Sequence, residues 1–161
     1  MLQGLITDGS LRPVNGTAFA VTPTLREAYA EGDDDELADV ALREAAMASL
    51  RLLAADPADD PDGVVRVPPR RAVLAADVGD ITYRPDLDDA VVRIGGSVGL
   101  DQVIAAYVDN AGAEGDVLKA IEVIDAADLG DEDAELVVGD AQDHDLAWYA
   151  NQELPFLLEL L

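Results

Sequence analysis

The chain contains no cysteine, a single lysine (Lys119) and a single histidine (His144). Without cysteine there is no disulfide, no thiolate nucleophile and no Cys-ligated zinc or iron–sulfur centre. Nucleophilic catalysis is left with His144 and the serines Ser10, Ser49 and Ser97. No spacing among these suggests a triad, and there is no GxSxG elbow. Gly95-Gly96-Ser97-Val98-Gly99 is the one glycine-rich stretch. It matches neither GxxxxGK[ST] nor GxGxxG, so it reads as a bulged strand end rather than a phosphate cradle. No apolar run is long enough to span a bilayer. Nor is there a basic segment leading into an apolar stretch at the N-terminus, so a cytoplasmic protein is expected. Aromatic residues make up only 4% of the sequence. A core must therefore be filled by Ala, Val, Leu and Ile, which bury little area each and require close backbone approach.

What is abundant is negative charge. Ten basic residues face 34 acidic ones among 161, a formal net charge of −24. A field of this sign repels phosphate backbones and anionic lipid, which argues against nucleic-acid and membrane partners. Basic proteins and metal cations are the compatible partners. High-GC codon usage and adaptation to high salt would each produce the same acid excess without a selected binding surface. Half of the residues are apolar, enough for a folded chain of the usual single-domain size.

Punctuation along the chain gives an order of elements. Residues 1–11 read as the end of a helix closed by Asp8-Gly9. Asn15-Gly16 is a turn, and Thr17–Thr22 a short strand with Phe19 and Val21 on one face. Thr22-Pro23 opens a helix with Thr as N-cap, and that helix breaks at Gly32. Asp33 with Glu36 opens another, running to about Ala55. At 100° per residue its apolar face comprises Leu37, Ala41, Ala45, Ala48 and Leu52. Residues 56–70 form an exposed Pro- and Asp-rich loop. Strands are expected at 71–78, 90–98 and about 105–108. The segment 79–89 is read as a connection, and its Asp86-Leu87-Asp88-Asp89, like Asp59-Asp60-Pro61-Asp62-Gly63, as turn acids rather than calcium loops. A helix capped by Asp116 and carrying Val117, Leu118, Ile121 and Ile124 follows, interrupted at Gly130. A last helix is expected from about Asp131 toward Leu154, ending before Pro155. The pattern gives a single α+β domain over residues 1–161: a three- to four-stranded mixed or antiparallel sheet, helices on one face and a helical C-terminal third.

If residues 131–154 form one helix, Asp133, Asp140, His144 and Asn151 share a narrow stripe, because spacings of 7, 4 and 7 nearly complete whole turns. Apolar residues flank the stripe on both sides. A metal site on Asp133, Asp140 and His144 would need a further ligand, such as Asp109 at a strand end. The competing reading is a kink at Gly139 with His144 at the rim, satisfied by Asp140 or water.

Several stretches carry a resemblance: residues 15–56 (NGTAFAVTPTLREAYAEGDDDELADVALREAAMASLRLLAAD), RRAVLAADV, AADLGDEDAE and HDLAWYANQELP. Together they resemble a family of small, acidic, uncharacterised proteins of high-GC actinobacteria. The resemblance covers most of the chain and carries no catalytic motif. It implies a short extended segment before the first helix, whereas this chain starts inside that helix at Met1-Leu2-Gln3-Gly4. A lost strand would leave a sheet edge unpaired and favour a homodimer.

The expected function is non-catalytic: an acidic cytoplasmic protein acting through a basic protein partner, with no cofactor. The alternatives are a metal-dependent or small-ligand-binding enzyme using Asp133, Asp140 and His144, and a nucleic-acid mimic that presents carboxylates in place of phosphates.

Overall fold

The computed structural model describes residues 2–55 and 69–160, and most of the 56–70 loop, including Asp59–Gly63, lies outside them. The class is α+β, with three small antiparallel sheets and helices that include the C-terminal region. Tertiary contacts divide the described chain into two compact units. The first is built from segments up to Ala45, from Leu74 to Ala106 and from Tyr149 to Leu160. The second takes the described residues between Ala46 and Val73 and those from Tyr107 to Trp148.

In the first unit, helix α1 (Leu2–Asp8) stops where Gly9 adopts φ 75° and its N–H donates to Leu5 O at 2.9 Å. Strand β1 (Ser10–Leu11) follows. A left-handed turn at Asn15 and Gly16, φ 57° and 69°, then delivers β2 (Thr17–Phe19). A Cβ on Gly16 would lie 2.9 Å from Ile94 O, so a side chain there would press on backbone. Thr22 starts α2 (Pro23–Ala28) as the sequence indicates: its hydroxyl accepts from Leu25 N–H at 3.1 Å and also donates to Asp89 O. One buried threonine thus serves a helix end and a loop 67 residues away.

Helix α3 (Asp34–Ala55) begins at Asp33, whose carboxylate accepts from Glu36 N–H at 2.9 Å. Its buried residues are Leu37 and Ala41, then Ala46 and Leu50, while Leu52 is 47% exposed. Leu37 belongs to a core with Leu25 and Ala90, backed by Phe19, Val21 and Val40. Leu50 belongs to another, with Val117, Ala120, Ile124 and Val138. The single apolar stripe ending at Leu52 is therefore corrected. From Leu37 to Leu50 is about 3.6 turns, so the two halves bury different sides of the helix.

Strand β3 (Ala72–Ala76) falls where expected. β4 (Ile81–Tyr83) lies inside the segment read as a connection. The 90–98 strand is divided by the glycine turn into β5 (Val91–Ile94) and β6 (Val98–Gly99), and β7 is Val103–Val108. The pairings are β1-β6, β2-β5-β4 and β3-β7 with an eighth strand, β8 (Ala147–Ala150). In the second sheet Phe19 sits opposite Val91, and Tyr83 opposite Val92.

Helix α4 (Glu114–Asp128) starts two residues before Asp116, after a turn of 3-10 helix capped by Asn110. It ends in a Schellman motif: Gly130, φ 94°, donates to Ala127 O at 3.0 Å and Asp131 to Ala126 O at 3.0 Å. Asp131 then caps α5 (Glu132–Gln142), accepting from Ala134 N–H at 2.9 Å. α5 stops at Gln142, so the continuous helix to Leu154 is corrected. The chain turns at Asp143-His144 into β8, and a short helix α6 (Leu154–Leu160) follows. Pro155 begins that last helix instead of ending the previous one, as its locked φ and missing N–H allow. α6 packs against α1 in the first unit, with Leu5, Leu154 and Leu157 buried.

Candidate functional site

The polar centre of the second unit is built on Arg71, the residue before β3. Arg71 and Asp109 are only 1% and 2% exposed. Asp109 Oδ2 accepts from the Arg71 backbone N–H and from Nε, both at 2.8 Å, and Oδ1 accepts from Nη2 at 2.8 Å. The Asp109 N–H donates back to Arg71 O at 3.0 Å. Nη1 donates to Gln142 Oε1 at 2.6 Å, and Nη2 to His144 O at 3.0 Å. A planar guanidinium presents five N–H groups in a fixed fork, and four of them are engaged by these contacts. A cation this deeply buried is tolerable only with such complete pairing.

This pairing explains why α5 ends where it does. The Arg71 guanidinium needs neutral acceptors beside Asp109, and the side chain of the last helical residue and the carbonyl of His144 supply them. Continuing the helix would leave Gln142 in place but turn the His144 carbonyl along the helix axis, away from the guanidinium. The Ala-Trp-Tyr-Ala sequence that follows suits a strand through its aromatics.

His144 turns its ring to α4, with Nε2 2.7 Å from Asp116 Oδ2; the two side chains are 33% and 36% exposed. Asp133 and Asp140 lie on exposed positions of α5, and neither joins His144. Asn151 is not on that helix either: its Nδ2 donates to Leu100 O at 2.9 Å and Val103 O at 2.6 Å within the first unit. Asp109, considered above as a further ligand, is taken by Arg71. Among the described residues there is no group of three or more His, Asp or Glu placed to hold a metal ion. Arg71, Gln142 and Asp116 are the residues that sequence reasoning missed. The Arg70-Arg71 pair heading an apolar strand was the available signal, but the acceptors of Arg71 lie 38 to 73 residues further along.

Around this centre the second unit carries further ion pairs. Arg70 Nε reaches Glu114 Oε1 at 2.9 Å. Arg51 grips Asp128 through Nε and Nη2 at 3.1 and 3.0 Å. Those hydrogen bonds hold the Asp128 carboxyl below the usual carboxylate range, against a smaller opposing effect of desolvation. Asp128 also lines a shallow cleft of about 260 Å³, together with Met47, Glu135, Val138, Gly139 and Gln142. The cleft is chiefly apolar with carboxylates at its rim, and its Gln142 is held in place from behind by Arg71.

Matching of the sequence to family models decides its kinship: residues 1–158 match the family of unknown function DUF6912. The chain belongs to that family. The match spans nearly all of the sequence, so both units described above fall within the family's extent. The resemblance drawn from the sequence stretches holds at this level, as membership of a family without an assigned function. No curated protein matches the chain, and no solved structure does.

Proposed function

We propose that this member of the family is a non-catalytic cytoplasmic protein that acts by binding a basic protein partner. The observation that supports it is the coexistence of a −24 formal charge with large apolar side chains left exposed. In the second unit these include Leu129 at 89%, Leu136 at 70% and Trp148 at 59%. Exposed aromatic and aliphatic side chains set among acids suit a partner that offers Lys or Arg beside apolar residues. The polar groups of the second unit's centre face one another rather than solvent, which fits a scaffold role for them. Among the described residues no helix is long and apolar enough to cross a membrane.

The test is affinity capture on the immobilised protein, with elution by rising sodium chloride. A basic protein released as salt screens the field supports the reading. Retention unchanged through the gradient overturns its electrostatic part. Capture no better than that of a charge-matched control protein overturns it altogether.

A metal or ligand reading can now be centred only on the part-exposed His144–Asp116 pair, since Asp133 and Asp140 do not join His144. Thermal melts with divalent cations at fixed ionic strength test it. A rise peculiar to one transition metal and lost in His144→Ala would support it, whereas a common shift for all divalent ions reports only screening.

A further inference from the structure

The β2-β5-β4 sheet ends in β4 (Ile81–Tyr83), which pairs with β5 on one side and with no described strand on the other. Its register sets Thr82 opposite Arg93. Arg84 N–H donates to Val91 O at 2.9 Å, and Asp80 O accepts from Gly95 N–H at 3.2 Å. In an antiparallel ladder, hydrogen-bonded and non-bonded pairs alternate. Positions 80, 82 and 84 are therefore turned to β5, while the N–H and C=O groups of Ile81 and Tyr83 point away from it, along the open edge. All three β4 residues are exposed, Ile81 by 38% and Tyr83 by 51%, and Leu87 just beyond is 49% exposed.

Sheet edges are ordinarily blunted by lysine, by an inserted proline or by a covering element. Here Pro85 limits the strand's length, but no lysine stands on it. From Asp77 to Arg93 there are five aspartates (77, 80, 86, 88 and 89) against two arginines. One of those, Arg84, is bound to Asp86 at 2.8 and 2.9 Å. The edge thus combines backbone donors and acceptors that no described strand engages, apolar side chains and an acidic surround.

We infer that the β4 edge is the docking site for an extended basic segment of a partner protein, which adds as a further antiparallel or parallel strand alongside Ile81 and Tyr83. Main-chain hydrogen bonds to these two residues fix the added strand. Its alternate apolar side chains lie beside Ile81 and Tyr83, and its Lys or Arg residues meet the aspartates. A second copy of this chain fits less well: it would bring the same acids against these, and a three-residue strand is far short of the roughly 800 Å² per partner of a stable interface. The inference rests on the basic-partner reading above and gives it a location.

The test uses the full-length protein and a synthetic octapeptide of alternating lysine and valine. Two controls accompany it: the same peptide N-methylated at alternate residues, and one with glutamate replacing lysine. Binding is read by fluorescence anisotropy, and its location by amide resonances and their hydrogen exchange. The lysine–valine peptide is expected to bind, to slow exchange at Ile81 and Tyr83, and to lose affinity as salt rises. The N-methylated and glutamate peptides are expected to bind at least tenfold more weakly. Tyr83→Pro removes an outward-facing donor without removing a bond to β5, and should weaken binding tenfold or more. Should that variant misfold, Ile81→Lys with Tyr83→Lys serves instead, repelling the peptide from the edge. Equal binding of the N-methylated peptide, binding that leaves the Ile81 and Tyr83 amides unchanged, or self-association through β4 would overturn the assignment. If the basic peptide binds but shifts residues elsewhere, the edge is wrong and the basic-partner reading stands. If it does not bind at all while basic proteins are still captured, the extended-strand mode is wrong.

Discussion

Arg71 and Asp109 are the residues on which the second unit depends most. Removing one member of a buried, hydrogen-bonded ion pair leaves an uncompensated charge and typically costs about 3–5 kcal/mol, a large share of a domain's total stability. Asp109→Ala is therefore expected to lower the unfolding free energy by about that much in urea titrations. A loss under about 1 kcal/mol would show that the pair is not the unit's polar anchor. The joint replacement Arg71→Met with Asp109→Asn should recover part of the loss, because it removes both charges at nearly constant volume and keeps an acceptor for the backbone N–H at position 71. The exposed Arg51–Asp128 pair tests the opposite regime. Its lowered carboxyl titration means that its contribution is present above the unfolded carboxylate range and lost as pH falls through the folded value. With both side chains nearly half exposed, the contribution is about 0.2–1 kcal/mol after screening. Arg51→Met should cost that much at neutral pH, and the difference from the parent should begin to shrink in melts below about pH 4 and vanish only once the pH is below the lowered folded value.

At the scale of elements, the helix ends are the most tightly specified features. Gly130 holds φ 94° between α4 and α5, a conformation that costs a side-chain-bearing residue about 1–2 kcal/mol. Gly130→Ala should lower stability by about that amount, while Gly139→Ala, within α5 and with open space around its Cα, should be neutral or stabilising by up to about 1 kcal/mol. The caps Thr22 and Asp33 were legible in the sequence because their chemistry is local: an oxygen, a helix start and a donor three residues on. Asp116, expected to cap α4, instead lies within its first turn. β4 was not legible, since three exposed residues between turn formers give no periodicity. The continuation of α5 to Leu154 was misread for a different reason. Spacings of 7, 4 and 7 fit a helix well, and what overrides them is the need of Arg71 for the His144 carbonyl just beyond Gln142. For the same reason the stripe of Asp133, Asp140, His144 and Asn151 dissolves, with its members sent to solvent, to Asp116 and to the carbonyls of Leu100 and Val103. On α3 the period was right but the phase was not, because local pattern cannot tell that one helix serves two cores.

For the whole molecule, charge sets the response to solvent. A net charge of −24 on 161 residues repels itself in the folded state more than in the expanded one, and salt relieves that repulsion. The melting temperature should rise steadily between low and molar sodium chloride. A flat or falling curve would show that specific pairs such as Arg51–Asp128, or the exposed Arg26–Asp34 pair at 2.7 Å, outweigh the general field.

The packing of α1 against α6 has a consequence for synthesis. Leu5 leaves the ribosome about 150 residues ahead of Leu157. At about 5–20 residues per second, the first helix waits on the order of 10–30 seconds for the surface that will cover it. Through that interval the nascent chain carries Leu5 unburied, a natural place for a holding chaperone to attach until α6 arrives.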